Sequence, residues 1–106
     1  MKINIRSMCG KKTVTRDDGE KINKILSEKW GEESTFDIDF DNLLVASVSF
    51  MDEAFGTLAL EHSKEDLQKK LKFSNIVDYD RGLLNDILYS RFHQKVLGEN
   101  GPSLKK

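Results

Sequence analysis

A small α/β layer structure, with a mostly parallel sheet of three to four strands and about three helices, is the fold class this sequence predicts. Three observations predict it. Polar and apolar residues alternate at Lys2-Ile3-Asn4-Ile5 and at Thr35-Phe36-Asp37-Ile38-Asp39-Phe40, the period of a half-buried strand. Between and after these segments the apolar residues recur every three or four positions, the period of a helix packed on one side. The resulting order is strand, helix, strand, helix, strand, helix, which implies successive right-handed crossovers onto a parallel sheet. The 106 residues suffice for one domain. At that size about two-thirds of the unfolded surface is buried, enough for a core without metal or disulfide staples.

The first helix begins between Thr15 and Asp17. Thr15 with Asp18 and Asp17 with Glu20 both fit the capping-box spacing, so two caps are open. Ile22, Ile25, Leu26 and Trp30 form its apolar stripe, Lys21, Lys24 and Lys29 fall off it, and Gly31 closes the helix. In the second strand Phe36, Ile38 and Phe40 face the core, while Asp37 and Asp39 face the other way. Leu43-Leu44-Val45-Ala46 then follows the sheet edge or forms a short extension. Ser49 stands three residues before Asp52, which predicts an N-cap at Ser49 and a largely buried helix from Phe50 to Leu60.

His62 to Gln68 reads as a charged turn with at most one helical turn, begun by Ser63 with Asp66. Leu71 to Ile76 supplies the third strand, with Leu71 and Phe73 inward. Asp78 or Asp80 caps the last helix, whose stripe is Leu83, Leu84, Ile87, Leu88, Phe92 and Val96. Gly98 to Ser103 reads as a helix stop and a tail, which sets the domain at 1–97 and the C-terminal tail at 98–106.

Composition narrows the function. Seventeen basic and eighteen acidic side chains give a net charge of -1 and a pI of about 6.1. That lacks the basic excess with which a protein neutralises phosphate backbones, so no nucleic acid is expected as a partner. No apolar run approaches the ~18 residues of a membrane helix, and no apolar signal-peptide core follows Met1. The single Cys9 excludes an internal disulfide, and a cytoplasmic location is expected.

Catalytic and metal signatures are weak. Cys9, His62 and His93 lack zinc spacing. Asp37, Asp39 and Asp41 lack the glycine and the final glutamate of a calcium loop, and read as a solvated strand face with Asp41-Asn42 as turn residues. Ser47 and Ser49 lack the flanking glycines of a nucleophile elbow, and no glycine-rich phosphate loop is present. The expectation is a protein that is not an enzyme and takes no metal or cofactor. Lys11-Lys12, Lys69-Lys70-Lys72 and Lys105-Lys106 read as solvated faces. Arg16 opposes the dipole at its helix start, and a pairing with Asp39 or Asp52 would offset this.

The stretch from Asp39 to Gly56 carries a more specific pattern. An acidic-aromatic strand end, Asp39-Phe40-Asp41, and an apolar stretch lead to Ser47-Val48-Ser49-Phe50-Met51-Asp52-Glu53-Ala54-Phe55-Gly56. This resembles the STAS-like family of small bacterial domains, relatives of the anti-sigma factor antagonists. Thr15-Arg16 and Lys72-Phe73-Ser74-Asn75 resemble it as well, so the likeness spans residues 9–95 in kind. The resemblance implies a STAS-like α/β fold and a regulatory, partner-switching role in protein–protein interaction. The implied partner is a protein such as a histidine-kinase-like ATPase, released or captured by serine phosphorylation at a helix start.

Laid on that pattern, Asp39 takes the first acidic position and Ser49 the phospho-acceptor position. Ser47 stands where the later acidic residue is expected, and Phe50 replaces a glycine. Ser47, Ser49, Phe50, Asp52 and Glu53 are the expected partner-binding surface. Ser49 also has a plainer reading as an N-cap, worth about 1 kcal/mol, and Asp52 and Glu53 would repel a phosphate added there. The alternative function is a phage- or mobile-element-encoded inhibitor or binding protein that uses the same scaffold without phosphorylation.

Overall fold

Three short strands, β1 (Lys2–Asn4), β2 (Phe36–Asp39) and β3 (Leu71–Ser74), lie side by side in chain order and are all parallel. Ile3 pairs with Ile38 and Ile38 with Phe73, so β2 is central. The structure is a computed structural model that describes residues 1–10 and 13–104, with side chains as far as residue 95. The loop and solvated-face readings of Lys11, Lys12, Lys105 and Lys106, and the place of Val96 in a stripe, fall outside these.

The helices are α1 (Ile5–Cys9), α2 (Arg16–Lys29), α3 (Val48–Met51), α4 (Thr57–Glu61), α5 (Lys64–Lys70) and α6 (Asp78–Leu104). A π-helical turn, Asp52–Gly56, joins α3 to α4 without a break. The fold is therefore α/β, as predicted, with more helices than expected. Its three principal helical runs are α2, the stretch from α3 to α4, and α6.

The strand register follows the sequence period. Phe36, Ile38 and Phe40 are buried and Asp37 between them is exposed, so one sheet face carries the core. Phe55 of the π turn stands edge-on to Phe73 at 5.2 Å and lies 6.3 Å from Phe40, joining helix to sheet. Thr15 is the N-cap of α2, in a reciprocal box with Asp18, which resolves the two candidate caps. Ile22 and Leu26 are buried, with Ile25 and Trp30 packed beside them.

Four local expectations are corrected. The turn at 62–68 is a full helix, α5, capped by Ser63; its one buried residue, Leu67, leaves no stripe to read. Lys70 in that helix is not a solvated lysine, because its ammonium donates to the carbonyls of Trp30 and Glu33 at 2.7 Å each. Asp39 does point away from the main core but is only 7% exposed, covered by side chains from neighbouring segments. The last helix passes Gly98, where a stop was expected, and runs to Leu104; a helical glycine costs only about 1 kcal/mol and does not compel a stop. The short α1 has no sequence stripe either, and is framed by its Asn4 cap and by Gly10 at φ 70°.

Candidate functional site

The turn leaving β2 positions the predicted site. Two non-glycine residues in it, Asn42 (φ 57°) and Ala46 (φ 46°), adopt the left-handed conformation. Asparagine visits that region readily, whereas alanine does so only under constraint. The constraint on Ala46 is Asp80 of α6. Its carboxylate accepts the Val45 N–H at 2.6 Å and the Ala46 N–H at 2.8 Å, and Asp80 is fully buried. Asp80 is thus not a cap of its own helix, as expected from the sequence, but a tertiary clamp on a turn 35 positions earlier.

The clamped turn delivers Ser47 to the start of α3. Ser47, and not Ser49, is the N-cap: its Oγ accepts the Phe50 N–H at 3.2 Å. The capping-box spacing of Ser49 with Asp52 was misleading because the helix begins two residues earlier. Ser49 lies inside the first turn, half-buried, with its Oγ 3.4 Å from that of Ser47.

Phe50 does not belong to an exposed surface. It is fully buried against Phe55, ring centroids 6.3 Å apart and nearly perpendicular. Helix α2 also approaches the backbone here closely: a Cβ on Gly19 would come within 2.6 Å of the Phe50 carbonyl oxygen and 3.1 Å of the Glu53 Cβ. The apolar side chains that do reach solvent at this turn are Leu44 and Val48, each 59% exposed. Leu44 was detectable as the residue out of phase with buried Leu43 and Val45.

Asp52 and Glu53 open the π turn, and each meets an arginine. Arg91 of α6 grips both oxygens of Asp52, with Nε donating at 2.7 Å, and also donates to Gln94. The Asp52 hydrogen bond is the main reason the Arg91 pKa is raised, so its charge is secure. Arg16 lies 3.8 Å from Glu53, so its partner does come from the central motif but is neither Asp39 nor Asp52. The irregular backbone of the π turn is satisfied by side chains: Asn23 donates to the Ala54 carbonyl and the Thr57 hydroxyl to that of Glu53.

Asp39 accepts the Asn75 side-chain N–H at 2.8 Å and the Asp41 N–H at 2.9 Å. The Asn75 bond is the largest cause of a pKa below the usual aspartate value. Among the described residues no group of three or more His, Cys, Asp or Glu side chains gathers to hold a metal ion. No helix among them is long and apolar enough to cross a membrane.

A parallel βα sheet whose central strand leads into a serine-bearing helix start, backed by an acid pair, defines a small STAS-like α/β module. The model of the STAS-like domain of unknown function (DUF4325) matches residues 18–81, and the chain belongs to that family. The matched span includes the motif from Asp39 to Gly56 and the clamp residue Asp80. No curated protein and no solved structure matches the chain.

Proposed function

We propose that this chain is a non-enzymatic regulatory module that docks a protein partner through the turn between β2 and α3, and that phosphorylation of Ser49 switches the docking. The observation that carries this reading is exposure combined with rigidity. Leu44 and Val48 stand out in solvent while the backbone between them is held by Asp80. Apolar groups on a fixed backbone lose little conformational freedom when a partner covers them. Val77 and Tyr79, 43% and 67% exposed, precede Asp80 and bring further apolar surface to the same end of the domain. The partner class is the one implied by the STAS-like resemblance, a histidine-kinase-like ATPase.

A phosphate on Ser49 would sit in the first turn of α3, where the helix dipole favours an anion. The repulsion expected from Asp52 and Glu53 is reduced, because Arg91 grips Asp52 and Arg16 lies 3.8 Å from Glu53. The added charge then opposes apolar contact at Leu44 and Val48.

Affinity capture from host extract with wild type, Val48→Asp, Ser49→Asp and Ser49→Ala tests the proposal, read together with the intact mass of the recovered chain. An ATPase partner should be retained by wild type and Ser49→Ala and lost by the other two. Equal capture by all four variants removes this turn from the interface. Loss by Val48→Asp with equal capture by both Ser49 variants leaves docking without a switch.

A further inference from the structure

A second feature lies on another face of α6. By the helical period, Asn85, Tyr89, Phe92 and His93 project about two-fifths of a turn round from Leu84, Ile87 and Arg91. They line an open groove of about 520 Å³ between α5, β3 and α6, within the range of small-molecule sites. The floor is apolar: Leu67 and Leu71 are buried, and Phe73, Leu88 and Phe92 are half-buried. The rim is polar. Lys64 of α5 and His93, Asn85 and Tyr89 of α6 all line the groove and are exposed. Tyr89 and His93 stack with their rings 5° from parallel and 6.1 Å apart, which gives the rim one ordered wall.

Charge selects among occupants. Among the described residues no carboxylate lines the groove, while Lys64 supplies a cation and His93 a nitrogen donor. An anionic head finds an opposite charge at Lys64 and no like charge among the lining residues, while an apolar body finds the floor. We propose that this groove binds an amphipathic anion, its apolar body on Phe73, Leu88 and Phe92 and its head at Lys64 and His93. The site is separate from Ser47 and Ser49 and stands or falls independently of partner docking there.

Dodecanoate, with dodecanol as the neutral probe, tests this by titration of amide NMR shifts and by calorimetry. Saturable one-to-one binding below the micelle concentration is expected, with shifts centred on α5, β3 and α6. Leu88→Glu should weaken it at least about tenfold. Lys64→Glu, at an exposed position with no core role, should weaken dodecanoate about threefold or more and leave dodecanol unchanged. The proposal is overturned by the absence of saturable binding, or by dodecanol binding as well as dodecanoate. It is equally overturned if sedimentation shows a dimer that Leu88→Glu or Lys64→Glu dissociates, since a second copy then fills the groove.

Discussion

Two turns leave the same end of the parallel sheet, one after β2 and one after β3, and each is held by an aspartate from the other's side. Asp80, just past the β3 turn, takes the Val45 and Ala46 N–H groups of the first turn. Asp39, at the end of β2, takes the Asn75 side chain of the second. The two clamps differ in kind. Asp80 is fully buried and binds two backbone donors of a distant segment; Asp39 retains slight exposure and shares itself between Asn75 and its own neighbour Asp41. Each turn places an asparagine in the left-handed region, Asn42 after β2 and Asn75 after β3, but the β2 turn also holds Ala46 there. The stretch that leads into Ser47 and Ser49 is therefore held from far away at Ala46, whereas the left-handed residue of the β3 turn is locally suited to its shape.

The most direct way to break this contrast is Asp80→Ala. It strands the buried Val45 N–H and the part-buried Ala46 N–H, and a loss of about 3 kcal/mol in urea unfolding is expected. Asp80→Asn keeps an acceptor oxygen and should cost about half as much. A loss under about 1 kcal/mol for Asp80→Ala would mean that the β2 turn is self-supporting after all.

The next test separates the serines. Ser47→Ala should cost about 1 kcal/mol through the lost cap. Ser49→Ala, which removes no bond to a helix N–H, should stay within about 0.5 kcal/mol. The opposite ranking would return the cap to Ser49.

The smallest effect concerns Asp39. Its folded pKa is lowered, chiefly by Asn75. A carboxylate of that kind stabilises the native state above its unfolded pKa and loses that contribution as pH falls through its folded pKa. Asn75→Gly keeps the backbone conformation accessible and deletes the donor. The drop in melting temperature between about pH 6 and about pH 2.5 should therefore be smaller in Asn75→Gly than in wild type. An unchanged drop would show that Asn75 does not hold the Asp39 carboxylate.

What the sequence disclosed was periodic or local. The strand at Phe36–Asp39 announces itself by strict alternation, α2 by its stripe although two caps fitted its start, and the STAS-like motif by residues in one run. What stayed hidden depends on distance or on phase. Arg91 meets Asp52 across 39 positions, and no spacing rule links them. Ser47 lost to Ser49 as the apparent cap because Phe50, three residues after Ser47, is apolar and completes no capping box. Phe50 was placed on the surface because motif position says nothing about burial, which here is made by tertiary packing against Phe55.

The strand order also fixes a sequence of events during synthesis. The partners of Ile38, Ile3 on one side and Phe73 on the other, are each separated from it by a whole βα crossover. Pairings of such separation require long loops to close before any contact rewards them, and they form slowly. As the chain leaves the ribosome, β1, α2 and β2 become available while Asn75 and Asp80 are still unmade. A nascent chain at that stage offers chaperones and proteases an open β2 edge and an unclamped serine turn. Only the arrival of α6 gives that turn its final shape, which is coupled to the emergence of residue 80 and no earlier.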